Sequence, residues 1–327
     1  MLRYDIHGLV KVDSNVRPGA LMGVLPPIFI SGRGGKDADI SIFAGDFTYH
    51  ESGGIYYEGP FKVGPLRSKF LLDGLEGRAR IWFLSPRYRF LGEVKPQIKS
   101  LIFEVLEIKL LQRGHTLIHA ACLEKDGEGI MLVAPPDTGK TFTSIRLVRR
   151  GFNFMADDMT ILGPGARAYC FPTPMTLHLV HLRELDIPLS RLARASVRAR
   201  WLLNSLPWVK KLVSEAKVDY RHVLKDIPLT EKTKVARIFF LERGSRGLEK
   251  VDDALALSKL IPVAKMHRSI FDDLITIYSY YHPELNLGAL ARRQEELYGE
   301  LVEEAECYIV RAEGRTFADV MIEEEMI

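Results

Sequence analysis

The chain has 327 residues, of which 47% are hydrophobic and 27% are charged, and its formal net charge is +3. These proportions are those of an ordinary globular protein, and no apolar run approaches the roughly eighteen residues of a membrane span, so disordered, fibrous and membrane-spanning classes are excluded. The first residues, MLRYDIHGLV, lack the apolar core of a signal peptide, and we expect a cytoplasmic protein.

Cysteine usage argues against a zinc site or a disulfide framework. Cys122, Cys170 and Cys307 are far apart and form no C-x-x-C pair, which favours buried thiols. Asparagine and glutamine are scarce, whereas lysine, arginine and glutamate are plentiful. This bias is typical of proteins from thermophilic organisms, and we expect a thermophilic or archaeal source.

The first 95 residues alternate short β-type runs with glycine-rich turns. The runs are PIFIS, DISIFAG, GIYYEG, SKFLLDG and RARIWFL, and they predict a small β-rich N-terminal domain over residues 1–95. Next, Ile98–Gln112 carries apolar residues at helical spacing and stops at Arg113-Gly114. We expect this helix to join the first domain to a second one over residues 96–327.

The segment Thr116–Glu124 (TLIHAACLE) predicts a strand, and the turn Asp126–Gly129 leads from it into a second apolar run. We therefore expect the strand that holds His119 to pair antiparallel with Ile130–Val133. His119 is either a satisfied core residue or a functional side chain, and its apolar surroundings alone favour the core residue.

A strand, a loop, a helix and a second strand follow in Gly129–Leu162. A helix over Lys140–Arg150 would carry the chain about 16 Å away from the loop. The strand Phe152–Ala156 would return it by about the same distance. If the two strands are parallel, the aspartate pair Asp157-Asp158 and the loop meet at the carboxyl edge of the sheet, where ligands bind.

The loop matches the phosphate-binding pattern G-x-x-x-x-G-K-[ST] at its last three positions, Gly139-Lys140-Thr141. Its front half departs from the pattern. Ala134 stands in place of glycine, Pro135-Pro136 supply no N–H donors, and Asp137 brings negative charge beside the phosphates. Aspartate tolerates a left-handed conformation, so the turn can still form.

The second half of the chain is predicted to contain both strands and helices. We predict strands at MTILG, Ala168–Phe171, Met175–Val180, Lys234–Leu241 and Cys307–Ala312. We predict helices at Val251–Leu260, Met266–Tyr281 and Leu287–Ala305, with a basic helical insertion at about 182–225.

Asp272-Asp273 would be a solvated turn of a helix. His178 and His181, three residues apart, could bind a metal or a substrate, although two ligands are weak evidence.

Positive charge is concentrated at 190–225, whereas 295–325 is strongly acidic. One interpretation is solvated helix faces that attract each other. Another is an anion-facing lid in which Trp201 and Trp208 are apolar anchors. A third is a surface for nucleic acid or an anionic membrane. The sequence leaves the oligomeric state open, including a homo-oligomer.

Taken together, His119, the strand and loop GIMLVAPPDTGKT, the helix end LVRRG and the strand end FMADD resemble the catalytic core of the HPr kinase/phosphorylase family. That family shares its fold with ATP-dependent phosphoenolpyruvate carboxykinases. The resemblance covers about Leu117–Leu162, with a weaker echo at KVARIFFLERG. It implies an α/β P-loop kinase core of the phosphoenolpyruvate carboxykinase type with a mixed sheet.

The resemblance also implies a role for each matching residue. Nucleotide binding would fall to Asp137, Thr138, Gly139, Lys140 and Thr141. Thr141 would help to hold Mg²⁺, with Asp158 as the carboxylate candidate for the metal. One of Asp157 and Asp158 would be the general base for the substrate hydroxyl, and which one stays open. His119 would tune that pair, and Arg243 would neutralise charge on the transferred phosphoryl group.

The sequence departs from the family downstream of the aspartate pair. The family's protein kinases carry a glycine-rich signature there, whereas this chain has FPTPMTLHLVHLRELDI. We therefore expect a substrate other than the phosphocarrier protein, with ATP, ADP or pyrophosphate as the donor. The function expected is a Mg²⁺-dependent kinase acting on a hydroxyl of a small molecule or of a protein serine. The alternative is a nucleotide-binding regulatory module that engages an anionic partner without turnover.

Overall fold

A computed structural model describes residues 1–48, 54–59, 68–85, 88–89, 94, 96–185, 187–204, 216–265 and 272–327. The chain forms two compact units, one of Met1–Leu117 with His267–Leu297, and one of Ile118–Met266 with Tyr298–Ile327. Both contain strands and helices, so the fold is mixed α/β. The helix predicted to join two domains lies within the first unit.

Eighteen strands are present in the described residues. They are β1 Leu2–Ile6, β2 Val10–Ser14, β3 Ile30–Arg33, β4 Ile40–Ala44, β5 Ile55–Gly59, β6 Ser68–Asp73, β7 Ala79–Leu84, β8 Thr116–Ile118, β9 Ala120–Lys125, β10 Glu128–Val133, β11 Asn153–Ala156, β12 Thr160–Gly163, β13 Arg167–Tyr169, β14 Met175–Thr176, β15 Lys217–Val218, β16 Lys232–Arg243, β17 Gly247–Val251 and β18 Glu306–Ala312.

The helices of the described residues vary from one turn to five. They are α1 Pro18–Leu21, α2 Pro96–Gln112, α3 Lys140–Val148, α4 Leu179–Glu184, α5 Arg191–Asn204, α6 Tyr220–Val223, α7 Asp253–Lys265, α8 Asp272–Tyr281, α9 Leu287–Glu304 and α10 Phe317–Glu323. Short 3-10 turns span Pro27–Phe29 and Pro283–Leu285. Among these described helices, none is both long enough and apolar enough to cross a bilayer.

The first unit contains a seven-stranded mixed sheet in the order β3-β1-β2-β4-β7-β6-β5. Four of the five predicted runs are confirmed as β4 to β7. The remaining run, PIFIS, begins with a 3-10 turn because Pro26 and Pro27 fix the backbone before β3. We did not predict β1 and β2, although Tyr4, Ile6 and Val12 alternate with polar residues and are fully buried.

A second mixed sheet runs β11-β9-β10-β16-β13-β12-β8, with β18 on β16 and β17 on β18, and apart from β8 at the unit boundary its strands lie in the second unit. β16 is parallel to both β10 and β18. The core contains Leu132 and Phe239 from the sheet, Phe142 and Ile145 from α3, and Phe317 from α10. Each such side chain stabilises the fold by about 1.5–3 kcal/mol when fully buried.

The predicted crossover is present in this sheet. β9 pairs antiparallel with β10 and with β11, so β10 and β11 run parallel to each other with β9 between them. α3 connects the end of β10 to the start of β11. The loop after β10 and the residues after β11 therefore lie at the same edge of the sheet.

Two strands predicted from the sequence need correction. The strand expected over Thr116–Glu124 is divided at His119, because β9 pairs with β10 whereas β8 belongs beside β12 at the other end of the sheet. The strand expected over Met175–Val180 ends at Thr176, and α4 begins at Leu179, where His178 and His181 close a capping box.

The basic segment is less uniformly helical than expected. α5 and α6 lie within it and α4 overlaps its start, but Lys217–Val218 forms a strand that pairs with Met175–Thr176. Trp201 is exposed on α5. Trp208 lies outside the described residues, as does the start of the helix expected over Met266–Tyr281.

Candidate active site

The loop between β10 and α3 turns through two residues with positive φ. Asp137 has φ 61° and Gly139 has φ 131°. The first value is the left-handed conformation that aspartate tolerates, whereas the second strains any residue with a Cβ atom. Gly139 is also the N-cap of α3, so the N–H groups of the first helical turn are directed out of this end of the helix. The loop has the backbone geometry of an anion-binding turn.

Lys140 lies in the first turn of α3 and is buried. Its Nζ is 2.6 Å from Nε2 of His119 and donates to the carbonyl oxygen of Ala134 at 3.1 Å. Burial lowers the pKa of Lys140 to about 8, against the opposing effect of the Asp158 and Asp157 charges. The side chain is therefore still mainly protonated at neutral pH.

His119 connects Lys140 to Asp158. Because the protonated Lys140 donates to Nε2, we assign the imidazole hydrogen to Nδ1. Nδ1 faces Asp158 Oδ1 at 3.2 Å, and the Asp158 side chain is 46% exposed. The ring thus holds a partly exposed carboxylate in a fixed position at the sheet edge. The bend at His119 between β8 and β9 produces this placement.

Asp157 is the buried member of the aspartate pair. Thr141 Oγ1 donates to its Oδ2 at 2.7 Å, whereas Oδ1 is buried and has no hydrogen-bond partner among the described residues. Burial raises the pKa of Asp157 to about 6, an effect that the Thr141 hydroxyl opposes and the Asp158 charge reinforces, with smaller opposing effects from the Lys140 charge and the nearby Ser144 hydroxyl. An orphaned carboxylate oxygen beside a threonine hydroxyl offers a hard cation the oxygen ligands it prefers.

Arg243 lies at the end of β16, as predicted. Its Nη2 donates to the backbone carbonyl of Asp137 at 2.7 Å. The Asp137 carboxylate is turned toward solvent, 3.8 Å from Nε2 of His178. The guanidinium therefore braces the front of the loop.

The histidine pair near the loop takes part in capping α4. His181 Nδ1 accepts the backbone N–H of His178 at 2.8 Å, which uses this nitrogen to cap α4. Burial, followed by the charges of His178 and Arg315, lowers the pKa of His181 to about 4. His181 is therefore neutral and caps α4, whereas the His178 ring lies 3.8 Å from the Asp137 carboxylate.

Arg315 is a site candidate that sequence reasoning missed. It precedes α10, and its Cγ is 3.7 Å from where a Cβ atom on Gly139 would lie. Within the described part of the chain no hydrogen bond or ion pair is found for its guanidinium. No local pattern marks this residue, because its position depends on β18 pairing with β16. The structure thus places an arginine with no hydrogen bond or ion pair among the described residues beside the loop.

A cleft of about 440 Å³ adjoins the loop on the side of β16 and α7. Pro135 and Thr138 line it from the loop, and Phe240, Pro262 and Val263 line it from the opposite wall. Its volume and mainly apolar walls are those of a small-ligand pocket.

Comparisons with known proteins give limited support. No protein-family model matches the sequence, and no curated protein matches it. Among solved structures, the chain is similar to the HPr(Ser) kinase/phosphatase from Coxiella burnetii, with 9% sequence identity over 64% of this chain and 97% of that chain and a TM-score of 0.30. A similarity of this size does not establish a shared fold. The geometry defines a mixed α/β protein in which a lysine, a histidine and two aspartates meet at one sheet edge.

Proposed function

We propose that the chain is a kinase that transfers a phosphoryl group from a nucleotide or pyrophosphate to a hydroxyl of a small molecule or a protein serine. The observation that carries the proposal is the pairing of Thr141 with buried Asp157 while Asp158 faces His119 in the same site. The order of motifs, which resembles the HPr kinase/phosphorylase family and its phosphoenolpyruvate carboxykinase-like core, also supports it.

In this proposal the phosphates bind at the loop. The N–H groups from Thr138 to Thr141 and the positive end of α3 attract the donor's anionic oxygens. Lys140, which contacts His119 and Ala134 in the structure, would turn to the phosphates. Arg243, which contacts Asp137, and Arg315, which lies near Gly139, would add positive charge at the loop. Electrostatic stabilisation of this kind is the main protein contribution to phosphoryl transfer.

The two aspartates would have different roles, one binding the metal and the other accepting a proton. Thr141 and Asp157 would hold Mg²⁺, which would neutralise charge on the donor. The buried Oδ1 of Asp157, which has no hydrogen-bond partner among the described residues, would be one of its ligands. This differs from the expectation that Asp158 assists the metal. Asp158, exposed and positioned by His119, would accept the proton as the substrate oxygen bonds to phosphorus and the donor's bridging oxygen leaves with its electron pair.

The proposal is tested with purified protein, Mg-ATP, Mg-ADP or Mg-pyrophosphate and a panel of hydroxyl-bearing metabolites. Lys140→Ala should reduce transfer by about 100-fold or more. Lys232→Ala, which removes an exposed lysine on β16, is the matched control and should retain activity. Transfer that survives in Lys140→Ala would refute the assignment of the loop. Tight nucleotide binding without any transfer would instead favour the regulatory module.

A further inference from the structure

Helix α5 presents an apolar face to solvent. Leu192 is 84% exposed and Leu203 is 40% exposed, and Ala195 and Ala199 are exposed as well. Val197, on the opposite side, is buried in the core of the second unit. The usual pattern of a surface helix, with apolar residues inward and polar residues outward, is therefore not followed here.

Four of these exposed apolar residues form one continuous stripe, whereas exposed Trp201 falls roughly 160° from its centre and is not part of it. At about 100° per residue, Leu192, Ala195, Ala199 and Leu203 fall within an arc of roughly 80°. Leu202, which is 60% exposed, extends the arc at one edge. Val197 lies roughly opposite the centre of this arc, in agreement with its burial. The stripe is therefore a property of the whole helix and not of one stray side chain.

Arginines border the stripe on both sides. Arg191 and Arg198 follow one edge and Arg200 follows the other, whereas α5 contains no acidic residue. Two copies of this helix packed stripe to stripe would bring these charges together, which disfavours self-association. A nucleic acid would engage the arginines but leave the leucines in water. An anionic bilayer satisfies both, because leucines enter the acyl boundary while arginines meet the headgroups.

We propose that α5 is a membrane-surface helix that docks this protein onto an anionic lipid bilayer. The helix lies in the plane of the interface, with the leucine stripe inserted and the bordering arginines at headgroup level. The docking is reversible because the apolar area is small and no lipid anchor is invoked. It is independent of the kinase proposal, since α5 contributes none of the residues assigned to the site.

The test is co-sedimentation of the full chain with vesicles of phosphatidylcholine, with and without about 30% phosphatidylserine. We expect binding to the anionic vesicles that weakens as salt is raised. Leu192→Ser with Leu203→Ser should reduce this binding about tenfold or more, given what burial of two leucines contributes. Arg191→Glu with Arg198→Glu should abolish the dependence on phosphatidylserine. Thermal unfolding of each variant confirms that it is folded.

The matched control is Leu255→Ser, which removes a leucine that is 41% exposed on α7 of the same unit. It should bind vesicles like the original chain. The proposal is overturned if the original chain does not sediment with anionic vesicles, or if Leu255→Ser weakens binding as much as the stripe variant. Binding to an RNA oligonucleotide without binding to vesicles would also overturn it. So would a dimer in solution that the stripe variant dissociates.

Discussion

Replacement of Asp157 by asparagine should stabilise the protein at neutral and alkaline pH in the absence of Mg²⁺. Burial raises the pKa of this carboxyl from 3.8 to about 6. The difference of roughly two pH units, at about 1.4 kcal/mol each, makes ionisation of Asp157 cost about 3 kcal/mol of folding free energy. The cost is absent below pH 3.8, where the group is protonated in both states, and is complete above about pH 6.

The assay is urea or thermal unfolding of the original chain and Asp157→Asn at pH 4 and pH 8. At pH 8 the variant should gain up to about 3 kcal/mol, or roughly 6 °C or more in Tm, and at pH 4 it should gain almost nothing. Asp158→Asn is the matched control and should show no comparable gain, because its side chain is in contact with water.

The stability of the same two proteins is then measured with added Mg²⁺. A cation bound at Thr141 and Asp157 would stabilise the original chain and leave Asp157→Asn unaffected. If Asp157→Asn were no more stable than the original chain at pH 8, the argument that its burial is costly would be wrong. If Mg²⁺ stabilised both proteins equally, the metal would lie elsewhere.

Three further predictions concern the loop. Gly139→Ala should cost about 1–3 kcal/mol of stability in unfolding measurements, because alanine is strained at φ 131°. Arg315→Ala should weaken ATP binding about tenfold in calorimetric titrations, whereas Arg167→Ala, an exposed arginine on β13, should not; equal affinities would remove Arg315 from the site. The affinity for pyrophosphate should fall as pH rises through about 8, where Lys140 loses its proton, and the fall should be absent in Lys140→Arg.

The part of the site that the sequence predicted is the part encoded locally. β10, α3 and β11 follow each other directly, and helix and strand lengths alone return the chain to the loop. Which aspartate faces Thr141 was not predictable in this way. The pairing of β11 with β9 shifts register between Phe154 and Ala156, and a shift of one residue reverses which side chains face a given side of the sheet.

Other features depended on contacts between distant residues. Arg315 reaches Gly139 only because β18 pairs with β16, and no pattern near Arg315 indicates that pairing. Similarly, His119 lies at a bend because the strands before and after it belong to different places in the sheet. A continuous apolar segment such as TLIHAACLE carries no signal for such an exchange of partners.

The order in which β10, β16 and β18 occur in the chain has a consequence for biosynthesis. These adjacent parallel strands end at one edge, where they bring together the loop, Arg243 and Arg315. The loop is translated some 170 residues before Arg315, which corresponds to about ten seconds or more of synthesis. A ribosome-bound chain therefore displays the loop long before Arg243 and Arg315, and if the proposed function is right, full affinity for the donor should appear only after β18 has been added to the sheet.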